Sequence, residues 1–119
     1  MRMFLGLAAL AIVAAPATAA MTVGTFVTKA NALRANPLTA FTSPDFSTLR
    51  TEAQAATAQL KADREARKAA GKPPIACVPE GQSIGITDMV DGLAALPAKD
   101  QALPLKDGYA RVIAKRFPC

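Results

Sequence analysis

Apolar side chains recur every three or four residues in several segments of this chain, which is the spacing of one face of an α-helix. The first helix is predicted over Thr22 to Ala35, the third over Thr87 to Leu96 and the fourth over Leu105 to Arg116. We expect their apolar faces to share one core. The faces comprise Val23, Phe26, Val27, Ala30 and Leu33 in the first helix, Ile86, Met89, Val90, Leu93 and Leu96 in the third, and Leu105, Tyr109, Val112, Ile113 and Phe117 in the fourth.

The second predicted helix is the longest and changes character halfway. Ser43 is a suitable N-cap, Pro44 fits the first helical position, and no helix breaker follows before Gly71. The apolar stripe of this helix stops at Leu60, and the positions that would continue it carry charges. We therefore expect the first half to pack on the core through Phe46, Leu49, Ala53, Ala56 and Leu60, and the second half to project into solvent.

Opposite charges lie four residues apart in the second half of this helix. Lys61 and Glu65, and likewise Asp63 and Arg67, are predicted to form ion pairs worth a few tenths of a kcal/mol each. A charged helix of this kind is usually a solubilising arm. The alternative is a surface that binds a partner, formed by Arg64, Arg67, Lys68 and Lys72.

The segment from Lys72 to Ser83 is predicted to be a stiff loop, because Pro73, Pro74 and Pro79 lie within it. Four apolar residues in and after the loop are expected to anchor it to the core: Ile75, Val78, Ile84 and Ile86. The pattern as a whole predicts a small all-α domain of four helices, one of them long and central.

Residues 1–19 have the three parts of a secretory signal peptide. Arg2 supplies the positive start, an apolar run extends from Met3 to Ala15, and Ala17-Thr18-Ala19 is a small-x-small cleavage site. The apolar run is shorter than the ~20 residues that a membrane span needs. We therefore expect residues 20–119 to form a single domain that is periplasmic or secreted and is not inserted in a membrane.

The chain has two cysteines, Cys77 in the proline-rich loop and Cys119. Because export places them in an oxidising compartment, we expect a disulfide between them. It would close a loop of roughly 42 residues and contribute about 4 kcal/mol to stability. The alternative is two free thiols that are reactive or bind a metal, but two cysteines without histidine make a poor metal site.

Composition argues against several functions. The chain lacks histidine, the usual general base and the commonest metal ligand, and paired cysteines cannot act as nucleophiles, so we expect no enzyme and no cofactor. The formal net charge of +5 falls by one when Arg2 is removed, and acidic residues interleave with the basic ones. This mild and mixed charge does not indicate a nucleic-acid-binding protein.

Asp88 and Asp91 lie three residues apart near the start of the third helix. Paired carboxylates can bind a cation or transfer protons. Carboxylates at this position more often serve the helix dipole, which favours negative charge near the N-terminus.

The C-terminal third of the chain resembles the Rap/Tai type of periplasmic immunity protein. The resemblance lies in Cys77-Val78-Pro79-Glu80-Gly81, in Ile84 and a helix that ends at Leu96-Pro97, and in a last helix that closes on Phe117-Pro118-Cys119. Proteins of this family are small exported helical proteins of Gram-negative bacteria. They bind peptidoglycan amidase toxins of the type VI secretion system and occlude the active site. The resemblance therefore implies a non-enzymatic protein whose partner is a secreted cell-wall amidase.

Two other functions are consistent with the sequence. One is a periplasmic stress protein that binds unfolded clients in the manner of a chaperone. The other is a structural protein of the cell envelope whose basic residues Arg64, Arg67, Lys68 and Lys72 meet anionic lipid or wall polymer. The long helix could also pair with a second copy in a homodimer, although the loss of the apolar stripe after Leu60 limits such a seam.

Overall fold

The computed structural model describes residues 20–119, which contain four α-helices and no strand of a β-sheet. The predicted all-α architecture with one long helix is confirmed. The predicted signal peptide lies outside the described residues. The helices are α1 (Val23–Ala35), α2 (Pro44–Ala69), α3 (Ile86–Ala94) and α4 (Leu105–Arg116), with short 3₁₀ turns at Ala40–Thr42 and Ala98–Ala102.

The helix ends are set by local sequence, largely as predicted. The Thr22 hydroxyl accepts a hydrogen bond from the Thr25 amide at 3.2 Å at the start of α1. The Ser43 hydroxyl accepts one from the Asp45 amide at 3.3 Å at the start of α2. Gly71 follows α2 with a φ of 68°, a left-handed conformation that glycine adopts without strain. Helix α3 begins one residue earlier than predicted and ends two residues earlier.

The core lies where α1, α3 and α4 meet the first half of α2. Val23, Phe26, Leu93 and Leu105 have almost no solvent exposure. The rings of Phe26 and Tyr109 pack edge to face, with centroids 6.2 Å apart. The predicted core face of α1 is confirmed, and so is the stripe of α2 from Leu49 to Leu60. The predicted face of α4 is confirmed from Leu105 to Ile113, but Phe117 lies outside the core cluster, because it follows the last residue of the helix.

Two glycines allow the helices to approach closely, and their role was not predicted. A Cβ atom on Gly92 of α3 would lie 2.7 Å from Cγ1 of Val112 in α4. A Cβ atom on Gly108 of α4 would overlap Cγ2 of Val23 in α1. A larger residue at either position would therefore force the facing valine side chain or its helix to move.

The connection between α3 and α4 ties both helices to the start of α1. The Gln101 side-chain amide donates to the carbonyls of Leu93 and Leu96 at 3.0 and 3.1 Å, which satisfies the end of α3. The amide of Leu105 donates to the carbonyl of Met21 at 2.9 Å, and the amide of Val23 donates to the carbonyl of Leu103 at 2.9 Å. The 3₁₀ turn within this connection was not predicted.

The predicted anchoring of the proline-rich loop by four apolar residues is wrong for three of them. Ile75, Val78 and Ile86 are 49%, 41% and 61% exposed, and only Ile84 packs against the core. The loop is held instead by the backbone and the disulfide, because the Cys77 amide donates to the Phe117 carbonyl at 2.9 Å. With the loop fixed in this way, its apolar side chains remain in solvent.

Among residues 20–119, no helix combines the length and the apolar character required to cross a membrane.

Candidate protein-binding surfaces

The most exposed apolar side chains lie between α1 and α2, in a segment that we call the aromatic connector (residues 36–43). Leu38 is 97% exposed and Phe41 is 79% exposed. Single exposed apolar residues are common on protein surfaces, but here two large ones lie three residues apart on one short segment. The connector therefore presents an apolar protrusion to solvent.

Hydrogen bonds within the connector hold its backbone in place. The Thr39 amide and hydroxyl both donate to the Asn36 carbonyl, at 3.2 and 3.3 Å. The Thr42 amide and hydroxyl both donate to the Thr39 carbonyl, at 3.2 and 3.0 Å. The Ser43 amide donates to the Ala40 carbonyl at 3.2 Å, and α2 begins at the next residue. Because the backbone bonds to itself, Leu38 and Phe41 are displayed on an ordered turn.

Phe46 supports the exposed ring from the first turn of α2. Its ring centroid lies 5.1 Å from that of Phe41, with the planes inclined at 62°. Phe46 was predicted to head the core stripe of α2, but it is half-buried and its aromatic contact is with the connector. This edge-to-face contact limits the directions in which the Phe41 ring can point.

Two ion pairs fix the helices next to the connector. Lys29 of α1 binds Asp45 of α2 with 3.1 Å between Nζ and Oδ1. Arg34, in the last turn of α1, binds Asp91 of α3 with 2.9 Å between Nη1 and Oδ1. Asp91 is therefore used in a contact between helices. Asp88 likewise lies 3.9 Å from Arg116 of α4.

The predicted basic surface lies at the far end of α2 from the connector. Arg64, Lys68 and Lys72 are exposed, as expected for a helix half that projects into solvent. Arg67 is half-buried, and its Nε donates to the carbonyl of Pro73 at 2.9 Å. The structure thus separates the four residues into three exposed cations and one that holds the following loop.

The predicted ion pairs of this half of α2 are wrong. The ion pairs among residues 20–119 include neither Lys61 with Glu65 nor Asp63 with Arg67. Asp63 instead binds Lys106 of α4, with 3.2 Å between Oδ2 and Nζ. A neighbouring helix offers Asp63 a partner that the sequence spacing within α2 could not reveal.

The predicted disulfide between Cys77 and Cys119 is confirmed, with Cα atoms 4.8 Å apart. It joins the loop after α2 to the end of α4. Both cysteines are exposed. Because the two thiols are bonded to each other, the alternative of two free thiols is excluded in this structure.

A groove of about 580 Å³ lies between α3, α4 and the turn that connects them. Its lining includes Asp100, the one charged residue among residues 20–119 whose side chain is buried. Oδ2 of Asp100 lies 3.9 Å from Nη1 of Arg111. Within the same described range, no group of three or more acidic, histidine or cysteine residues is placed to hold a metal ion.

Burial raises the pKa of the Tyr109 phenol above its ordinary value of 10.0.

Sequence reasoning identified the basic end of α2 but not the aromatic connector. Leu38 and Phe41 do carry a signal, because they fall between two proline-marked helix boundaries and outside every helical stripe. An apolar residue in such a connector can turn inward or outward, and only the fold shows that both side chains point outward.

Comparison of the chain with protein-family models, with curated proteins and with solved structures finds no match.

Proposed function

We propose that this protein is an exported, non-enzymatic inhibitor that binds a protein partner through the aromatic connector. The observation that carries the proposal is the display of Leu38 and Phe41, which are 97% and 79% exposed, on a hydrogen-bonded turn. The resemblance of the C-terminal third to Rap/Tai immunity proteins suggests the partner, a peptidoglycan amidase whose active-site cleft would be blocked by shape.

Burial of the Leu38 and Phe41 side chains in a partner would supply the binding free energy. Moving a Leu or Phe side chain fully out of water contributes about 1.5–3 kcal/mol. Apolar and aromatic anchors that enter a partner's pocket usually dominate the affinity of a protein interface. The backbone of the connector is already ordered by its own hydrogen bonds, so little backbone entropy is lost on binding.

The shape of the connector suits occlusion of a cleft. It lies between α1 and α2, which the Lys29–Asp45 ion pair joins, and the Arg34–Asp91 ion pair joins α1 to α3. A short protrusion on a rigid base can enter a concave site without rearrangement of the bundle. Inhibition of this kind requires no chemical group on the inhibitor.

The test is a pull-down from periplasmic extract with the exported protein, followed by an activity assay of any amidase recovered. We expect the wild-type protein to retain an amidase and to inhibit it at equimolar ratio. Leu38→Ser/Phe41→Ser should weaken inhibition at least tenfold. The matched control is Val78→Ser/Ile86→Ser, which removes two other exposed apolar side chains and should leave inhibition unchanged.

Two results would contradict the proposal. One is recovery of no cell-wall hydrolase by the wild-type protein. The other is full inhibition by the Leu38→Ser/Phe41→Ser variant, which would move the binding surface elsewhere. Circular dichroism of each variant should match the wild-type spectrum, because all four side chains are exposed.

A second function, chaperone-like binding of unfolded clients, is favoured by the three exposed apolar residues of the stapled loop and α3: Ile75, Val78 and Ile86. Together with the connector they would offer several separate apolar contacts to a client. This function requires suppression of aggregation of unrelated clients, with both serine variants equally weakened. A single stoichiometric partner would argue against it.

A further inference from the structure

We infer that the exposed cations at the end of α2 bind the protein peripherally to the surface of an anionic lipid membrane. We call these residues the basic arm: Lys61, Arg64, Lys68 and Lys72. The inference concerns a different surface from the aromatic connector and does not depend on the identity of any protein partner.

The cations of the basic arm are aligned by the helix. Lys61, Arg64 and Lys68 are spaced by three and four residues, which places them on one face of α2. Lys72 follows the end of the helix, and its amide donates to the Arg67 carbonyl at 2.9 Å. This bond and the left-handed Gly71 keep Lys72 next to the last turn of α2.

The charge of this region is unbalanced because its acidic residues are few and one of them is engaged elsewhere. The acidic residues between positions 61 and 72 are Asp63 and Glu65. Asp63 binds Lys106 of α4 at 3.2 Å, so Glu65 alone offsets the four exposed cations. Arg67 donates a hydrogen bond to the Pro73 carbonyl, and its positive charge adds to that of the four exposed cations.

The chemistry of the arm fits a lipid surface without insertion. The uncharged residues between Lys61 and Lys72 are small and exposed and offer too little apolar area to enter the hydrocarbon region: Ala62, Ala66, Ala69, Ala70 and Gly71. Cations held close to an anionic leaflet contribute through Coulomb attraction that falls off within a Debye length. A straight row of cations on a helix can approach a planar layer of headgroups along its whole length.

Binding through the arm would leave the aromatic connector free. The connector precedes the first residue of α2 and the arm occupies its last turns, and the helix is 26 residues long. At a rise of about 1.5 Å per residue, the two ends of the helix are ~39 Å apart. The protein could therefore rest on a membrane through the basic arm while the connector lies at the opposite end of α2.

The experiment is vesicle co-sedimentation with the exported protein. The vesicles contain either phosphatidylcholine alone or phosphatidylcholine with about one third phosphatidylglycerol. Since each cation near an anionic surface contributes about a fivefold gain in binding, we expect at least tenfold tighter binding to the anionic vesicles at 50 mM salt. We expect this preference to be lost at 300 mM salt.

Two variants of equal net charge test the location. Arg64→Gln/Lys68→Gln/Lys72→Gln should reduce binding to anionic vesicles at least tenfold. Arg50→Gln/Lys99→Gln/Lys115→Gln removes three exposed cations outside the arm and should reduce binding less than threefold. Equal losses in both variants would overturn the inference, because binding would then follow net charge alone.

Two further outcomes would also overturn it. One is equal binding to neutral and anionic vesicles. The other is binding of soluble dextran sulfate at least as tight, per charge, as binding of the vesicles, which would assign the arm to a polymer in solution. Loss of helicity in the arm variant, measured by circular dichroism, would be checked with Arg64→Lys/Lys68→Arg/Lys72→Arg, which keeps the charge and should bind vesicles like the wild type.

Discussion

The two halves of α2 belong to one uninterrupted helix but have opposite surroundings. In the first half, Leu49 and Ala56 are buried at 7% and 3% exposure. In the second half, every residue from 61 to 69 is exposed except the half-buried Arg67. The first half is held by packing, and the second by an ion pair to α4 and a hydrogen bond to the following loop.

The difference shows that helix formation and helix burial have separate causes here. Both halves contain good helix formers, and the caps lie only at the two ends, so local preferences make one helix. The apolar stripe stops at Leu60, so tertiary packing stops there as well. The proline-rich loop, which the disulfide attaches to the end of α4, then returns the chain to the bundle.

The largest effect is expected from removal of the disulfide. It spans a sequence separation of 42 residues, and opening a loop of this size should lower the free energy of unfolding by about 4 kcal/mol. Cys77→Ser/Cys119→Ser should show this loss in urea unfolding. Arg67→Ala, which removes the hydrogen bond to Pro73, should cost less than about 1 kcal/mol. Similar losses in the two variants would mean that the staple does not dominate attachment of the loop.

The next effect compares the same substitution at a buried and an exposed leucine. Leu49→Ala should cost about 2–3 kcal/mol, because it leaves a cavity beside the core. Leu38→Ala should change stability by less than about 0.5 kcal/mol, because the side chain is 97% exposed. Chemical denaturation of both variants measures the contrast. A large loss for Leu38→Ala would show that the aromatic connector is folded against the bundle.

A smaller effect is expected when an alanine of α2 is enlarged. Ala56→Leu should cost about 1–2 kcal/mol, because the buried position has no room for the larger side chain. Ala66 lies ten positions further along, in the exposed half of α2. Ala66→Leu should leave stability nearly unchanged, since leucine is also a good helix former. Thermal unfolding followed by circular dichroism compares them. Equal melting temperatures for the two variants would contradict the difference in burial between the two halves of α2.

The smallest effect on stability at neutral pH is expected for Tyr109→Phe. In alkaline solution the same substitution should have a clear effect on stability. Burial raises the pKa of the Tyr109 phenol in the folded protein, so the folded state holds the proton more tightly than the unfolded state. Its contribution is therefore fully present below pH ~10 and is lost as the pH rises through the folded pKa. Tyr109 is the only tyrosine, so absorbance of the phenolate reports its pKa directly. Tyr109→Phe should remove this part of the alkaline loss of stability, and an ordinary pKa of about 10 in the wild type would contradict the burial.

Much of the fold could be predicted because its signals are local. Thr22 and Ser43 cap their helices as expected, and Gly71 follows α2 in the left-handed conformation that ends it. The pairing of Cys77 with Cys119 follows from there being only two cysteines. A basic surface at the end of α2 could be named as a candidate because a run of charges is visible without knowledge of contacts, although the contact of Arg67 with Pro73 was not predicted.

Other features depend on neighbours that are distant in sequence. Asp63 binds Lys106 of α4 in place of the predicted partner in its own helix. The close crossings at Gly92 and Gly108 require knowledge of which helices touch there. Ile86 follows the apolar pattern of α3 but lies in its first turn with no element above it, and it is 61% exposed. The function remains a proposal, supported by the resemblance of the C-terminal third and by the exposed connector.

The sequence by itself determined where the four helices lie to within one or two residues, which of their faces are apolar and which cysteines pair. Caps, periodicity and the number of thiols can all be read without knowledge of tertiary contacts. The tertiary structure decided which apolar residues are buried and which are displayed. Burial depends on whether another element covers a side chain. Within residues 20–119 Leu38 is 97% exposed, and Phe41 remains 79% exposed although its ring contacts Phe46 at the start of α2.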